Sequence, residues 1–359
     1  MCSVLVLVYV TSNSFSPLKA QDRWRLKVHR SSLLSVMIHI EDKRLILPDG
    51  RTLAYADNGN TSSTTVILYF HGAFSVGDAS RLSPTLLQKN VHFVAPSLQG
   101  WGHSSPIRDL SNYSRTLAAD ITALITHLHP DHRDLKLYIC AHCFGTVVAQ
   151  TLCGLDYDIF PLGRHIDAII LLSPYSPPHG HHEYHRAMSW QLFFVAGPPT
   201  CYVPFNLLAR IAKYCITSRI KSVAGTEAAM RGLLFDHMSE EEVEMFSRWK
   251  ENHGAEEGEL EENITKNIVK SVAQTWQGFF DMATIYHSGY EWRLPKPGDD
   301  DRTIPRIHIL CAQNDPIIPV AMAEWLAAAH GTSANLRVVN GGHMAPLFHL
   351  DEIWAQIFT

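Results

Sequence analysis

The chain has 359 residues, 46% of them hydrophobic and 18% charged, enough apolar material for one large domain with an insertion or for two domains, and too much for general disorder. A formal net charge of −5 and a pI near 6.5, with no basic stripe, argue against nucleic acid or another polyanion as partner. Seven cysteines follow no disulfide-framework spacing and leave one over, which fits a reducing compartment.

Residues 1–43 read as an N-terminal extension, Ser-rich from Ser12 to Ser16 and basic from Lys19 to Arg30, without periodicity and of a composition compatible with disorder. The apolar run Val4–Val10 is too short to span a bilayer. No Lys or Arg precedes it, and Leu18-Lys19-Ala20 misses the small-x-small cleavage rule, so the run is not read as a signal peptide. No other uninterrupted apolar stretch is long enough to cross a membrane. The expectation is a cytoplasmic chain without a transmembrane segment, with secretion kept as the alternative.

From Arg44 to Ala56 the pattern is a β-hairpin turning at Pro48-Asp49-Gly50, because Asp-Gly supplies the backbone angles a tight turn needs. Val66–Phe70 is a buried strand by its continuous apolar character, and it runs into His71-Gly72-Ala73-Phe74, where a glycine lets the backbone turn and leaves N–H groups free for a substrate oxygen. Val91–Ala95 is the next strand and leads into the glycine-punctuated loop Pro96–Ser104. A helix over Asn112–Leu128 follows, with Leu117, Ile121, Leu124 and Leu128 at helical spacing.

Leu135–Leu152 reads as strand, sharp turn and helix, with Cys143 at the turn. Ala141 and Gly145 keep the positions two residues to either side small, as a nucleophile elbow requires. The helix head that follows favours a thiolate over a thiol, so cysteine is a credible nucleophile there. Two other readings stand beside this one. Cys140-Ala141-His142-Cys143 is also a C-x-x-C after a strand, the pattern of a thiol redox pair, and both cysteines could be inert core residues.

Ile166–Leu172 is another apolar strand, and strands alternating with helices argue for an α/β fold with a largely parallel sheet and helices on both faces. The alternation stops over residues 175–300, which are Pro-rich at both ends, aromatic in the middle and helical in pattern, for example over Leu207–Ile216 and Ile264–Tyr286; this segment reads as an inserted helical cap. Its glutamate-dense part, Ser239–Asn263, reads as a solvated helix face plus a flexible loop. The histidines of His179–His185 have imidazoles suited to Zn²⁺ but no recognised metal spacing, and are read as a polar loop. Strand patterning returns at Arg306–Ala312, followed by the turn Asn314-Asp315-Pro316, a helix over Val320–Ala329, the strand Leu336–Val339, the turn Gly341-Gly342-His343 and a final helix near Ile353–Phe358.

His71-Gly72, Cys143, Asp315 and His343 thus stand after successive strands, where ligands bind in open parallel sheets. With the order nucleophile, acid, histidine, the chain resembles the α/β-hydrolase superfamily in its capped form, over residues 44–174 and 301–359 as core and 175–300 as cap. The resemblance implies Cys143 as nucleophile, His343 as general base and Asp315 as the carboxylate that orients it. It implies the amides of Ala73 and Phe144 as the oxyanion hole, with Phe74, Trp101 and His142 beside the substrate. The loop Gly100–Ser104 resembles a structural motif of the family, whose usual preceding acid is Ser97 here. Cysteine in place of serine resembles dienelactone-hydrolase-like members. The expected activity is hydrolysis of an ester, lactone or thioester-like small molecule through a covalent acyl-enzyme, with acyl transfer through the same intermediate. No cofactor or metal is called for. A thiol redox protein using Cys140 and Cys143, and a non-catalytic binding protein on the same fold, are the alternatives.

Overall fold

The hairpin forms where the Asp-Gly turn places it: β1 (Lys43–Ile46) and β2 (Thr52–Gly59) pair antiparallel, closed by Gly50 N–H donating to the Leu47 carbonyl at 2.9 Å. This is a computed structural model, and it describes residues 39–359 apart from 132, 219, 221–222 and 290–304. The apolar run Val4–Val10 and the Ser-rich and basic stretches lie outside the described residues.

The apolar runs become β3 (Thr65–Phe70), β4 (His92–Pro96), β5 (Lys136–His142), β6 (Ile166–Leu172), β7 (Arg306–Ala312) and β8 (Ala334–Val339). They join the hairpin in one eight-stranded sheet of order β1-β2-β4-β3-β5-β6-β7-β8. From β4 to β8 every pairing is parallel, and β2 runs antiparallel to β1 and β4. Val66, Ile67, Leu68 and Phe70 are buried, the mark of strands covered on both faces. One face is covered in part by α1 (Pro84–Gln88) and the other by α2 (Tyr113–Leu128) and α3 (Gly145–Gly154). This is the α/β-hydrolase fold expected from the sequence.

Between β6 and β7 the chain builds α4 (Trp190–Ala196), α5 (Pro199–Tyr202), α6 (Leu207–Thr217), α7 (Val223–Leu234), α8 (Glu240–His253), α9 (Glu259–Ser271) and α10 (Gln277–Tyr286), the inserted helical cap. Ile264–Tyr286, expected as one helical stretch, is interrupted after Ser271 and resumes at Gln277. The last segment carries α11 (Val320–His330), α12 (Ala345–Phe348) and α13 (Leu350–Ile357).

Within α10, burial pushes the Asp281 carboxyl up to about 6, against the opposing hydrogen bond from Gln277 Nε2 at 2.7 Å. An acid whose folded pKa lies above its unfolded value, near 4, costs nothing below that value and its full penalty once pH exceeds the folded pKa. Asp281→Asn is therefore expected to raise stability by about 1–3 kcal/mol above pH ~6 and to leave it unchanged near pH ~4. Denaturant unfolding at the two pH values measures this; an equal effect at both removes the buried-charge explanation.

Candidate active site

β5 ends at His142 and α3 begins at Gly145, so Cys143 occupies the turn between them with φ +54°. That left-handed conformation costs a side-chain-bearing residue of order 1 kcal/mol. Cys143 N–H donates to the Leu172 carbonyl at 2.9 Å, and the Cys143 carbonyl accepts from Thr146 N–H and Oγ1, which over-determines the turn. Gly145 has to be glycine: a Cβ there would lie 2.2 Å from the Phe70 carbonyl oxygen. The loop after β3 also comes close, since a Cβ on Gly72 would meet the Cys143 Cβ at 3.1 Å.

Cys143 is buried and disulfide-bonded in this structure, and the other described cysteines, among them Cys140, are free. Cys140 lies inside β5, fully buried, and burial raises its thiol pKa. The redox-pair reading needs two thiols at a helix head, and Cys140 is not placed there.

The acid and base do meet. Asp315, in the turn after β7, accepts a hydrogen bond at Oδ2 from His343 Nδ1 at 2.7 Å. Its Oδ2 also accepts from Ser173 Oγ at 2.8 Å, and its Oδ1 from the Ile317 and Ile318 amides at 2.8 and 3.0 Å. Four donors hold the carboxylate in one orientation, and the bond to Nδ1 fixes the imidazole tautomer, leaving Nε2 for chemistry. His343 Nε2 is buried and makes no hydrogen bond among the described residues. Ser173 stands where an acid could have followed β6; it serves as a donor to the acid from the neighbouring strand. Nothing in its sequence context, Ser-Pro-Tyr, signals that role.

His142 precedes the elbow and packs its ring 4.7 Å from that of His343. Both of its ring nitrogens are buried and make no side-chain hydrogen bond of ordinary geometry among the described residues, and burial, followed by His343, holds its pKa well down, so the ring is neutral at pH 7. The amides of Ala73 and Phe144 donate no hydrogen bond among the described residues. Phe74 and Trp101 are buried against one another at 5.3 Å, and Phe74 also meets Phe279 of the cap at 5.2 Å. His71 is a structural residue here: its Nε2 accepts from Leu98 N–H at 2.9 Å, and burial lowers its pKa to about 3.

A cavity of about 330 Å³ opens between cap and core, lined by Asn314, Pro316 and His343 from the core and by Gln191, Leu234 and Met238 among others from the cap. The lining of this cavity does not include Cys143, Phe74, Trp101 or His142.

Glu242, from the stretch expected to be solvated, is instead buried at the first turn of α8. One carboxylate oxygen closes the helix's capping box on Ser239 N–H at 3.0 Å, and the other accepts from Gly342 N–H at 2.6 Å, one residue before His343. Gly341, at φ +118°, admits this carboxylate where a Cβ would sit 2.4 Å from Oε1. The capping box Ser239-x-x-Glu242 is legible in sequence; the second use of the carboxylate is not. Glu242→Ala is expected to lower kcat by about tenfold to a hundredfold with a smaller change in KM, because a small displacement of a reacting group is costly. Glu242→Gln, which keeps an acceptor for Gly342, should recover most of the loss; steady-state kinetics on the two variants decides it.

A similar substitution from afar occurs at the loop after β4. Ser97 offers its hydroxyl to Gly77 N–H at 2.9 Å, while the buried carboxylate of Glu41, from the segment read as extension, accepts from His103 N–H at 2.6 Å and pairs with His103 Nδ1 at 2.9 Å. In the histidine cluster, His181 stacks on Trp325 at 5.1 Å and meets Ser176 Oγ at 2.7 Å. Among the described residues no group of three or more His, Cys, Asp or Glu is arranged to hold a metal ion.

A strained elbow over a parallel sheet, an acid-paired histidine from the last two strands and an inserted cap define a capped hydrolase-type architecture. The model of the alpha/beta hydrolase family matches residues 67–356, and the chain belongs to that family. Among solved structures the chain is similar to an aCif variant, with 13% identity, TM-score 0.55 and 88% of each chain covered. It is also similar to a thermophilic esterase from Thermogutta terrifontis, with 17% identity, TM-score 0.45, and 88% of this chain and 97% of that one covered. The esterase RhEst1 from Rhodococcus sp. gives 14% identity, TM-score 0.48, and 88% and 98% coverage. A search of curated proteins finds no match. Among the described residues no helix is long and apolar enough to cross a membrane.

Proposed function

We propose that this chain is a hydrolase of carboxylic esters, lactones or thioester-like substrates that uses Cys143, His343 and Asp315 as its triad, in the manner of dienelactone-hydrolase-like members. The observation that carries the reading is the elbow geometry at Cys143, φ +54°, in the same chain as a His343–Asp315 pair closed at 2.7 Å. With the core assigned to residues 44–174 and 301–359 and the cap to 175–300, the reacting groups all belong to the core and the cap shapes the substrate space.

In this mechanism reduced Cys143 transfers its proton to His343, and the thiolate attacks the substrate carbonyl. Charge developing on the carbonyl oxygen is taken by the amides of Ala73 and Phe144. The tetrahedral adduct collapses as the alkoxide leaves with the proton from His343, giving an acyl thioester and an alcohol. His343 then deprotonates a water that attacks the thioester; the acid departs and the thiol is restored. Another nucleophile in place of water makes the same cycle an acyl transfer. Phe74 and Trp101 form the aromatic wall under the cap, and neutral His142 offers a donor or acceptor to the bound substrate. A panel of chromogenic esters, lactones and thioesters under reducing conditions tests the reading. The expected result is turnover with an acyl mass increment on the peptide containing Cys143; turnover with no increment under any quench condition, together with full activity in a variant lacking the thiol, rejects it.

A further inference from the structure

The surface of the cap around α5 and α6 is unlike the rest of the molecule. Tyr202, Phe205 and Tyr214 are 85%, 87% and 83% exposed, and Leu207 and Ile211 are 49% and 55% exposed. Leu207, Ile211 and Tyr214 recur at helical spacing on the solvent side of α6, whose other side buries Ala212 and Ile216. An apolar stripe turned outward on an amphipathic helix is costly in water unless something covers it.

Phe205 is held out deliberately. It and Asn206 both take left-handed backbone angles, φ +60° and +54°, and Arg210 Nε ties the tip down by donating to the Phe205 carbonyl at 3.0 Å. Two consecutive strained residues that display an aromatic ring to solvent mark a position kept for contact.

Charge says what kind of contact. From Ala187 to Gly225 the sequence contains Arg210, Lys213, Arg219 and Lys221 and no Asp or Glu, in a chain whose net charge is −5. Arg210 and Lys213 lie against aromatic rings, Arg210 over Phe280 at 5.1 Å and Lys213 over Trp276 at 5.1 Å, and neither forms an ion pair among the described residues. Protruding Phe, Tyr, Leu and Ile beside Arg210 and Lys213, in a stretch of sequence without a carboxylate, match the composition of a surface that seats in the headgroup layer of an anionic bilayer.

We infer that this face of the cap docks on anionic membrane surfaces, with Phe205 and the outer side of α6 inserting at the headgroup level. The assignment stands apart from the reading of the active site, because binding to lipid is measured without turnover. The test is flotation of the full chain with vesicles of phosphatidylcholine and phosphatidylserine in equal amounts, and with vesicles of phosphatidylcholine alone. Wild type should float with the anionic vesicles and detach as salt is raised. Phe205→Glu combined with Ile211→Glu should lower the partition by about tenfold or more, with unchanged far-UV circular dichroism and melting temperature because both side chains stand in solvent. Failure of wild type to float, equal flotation with neutral vesicles, or equal flotation of the double variant overturns the inference. Light scattering that finds a dimer dissociated by the same substitutions also overturns it, by giving the face to a second copy of the chain.

Discussion

Cys143→Ala is expected to lower kcat/KM on any ester that the wild type turns over by about a thousandfold or more, the scale on which losing a covalent nucleophile is felt while binding and oxyanion donors persist. The side chain is buried at a turn with φ +54°, and alanine keeps the Cβ while removing only sulfur, so the variant should fold. A thiolate nucleophile is oxidisable, which adds a condition: wild type should need reductant for full rate, whereas the residual rate of the variant should not respond to it. Stopped-time assays with and without dithiothreitol measure both effects. Retention of wild-type rate by Cys143→Ala removes the nucleophile from the mechanism.

Asp315→Asn is expected to cost about 10³–10⁴-fold in kcat with KM little changed, since an amide in that place inverts the hydrogen-bond polarity toward His343 Nδ1 and favours the wrong imidazole tautomer. Asp315 accepts four hydrogen bonds, from His343, Ser173 and two backbone amides; asparagine can accept only at its oxygen. Steady-state kinetics gives the rate, and thermal melting separates it from unfolding. A loss of similar size in KM instead would assign Asp315 to holding substrate or cap.

The strands and the elbow were readable because each is specified locally. Val66–Phe70 is an unbroken apolar run, and Ile166–Leu172 and Arg306–Ala312 are apolar but for Asp167, Arg306 and His308 near their starts, as burial on both faces of a parallel sheet asks. The small residues at Ala141 and Gly145 are a steric demand of the turn, expressed at fixed offsets from Cys143. The break between α9 and α10 was not readable in the same way, since its apolar spacing continues across Ser271, and the groups on either side of it bond instead to a remote loop: the Ser271 carbonyl accepts from Gly102 N–H and Gly278 N–H donates to the Gly100 carbonyl.

Local patterning therefore determined the α/β alternation, the inserted cap, the turn residue at Cys143 and the candidates Asp315 and His343. Tertiary structure alone decided which polar groups meet: Ser173 on Asp315, Glu242 on Gly342, and Glu41 on His103. Each of those pairs joins segments remote in sequence, and a buried carboxylate takes whichever donors the fold brings to it. Glutamate in a charged run looks the same whether it faces water or another loop; only the packing of α8 against the turn before His343 separates the two.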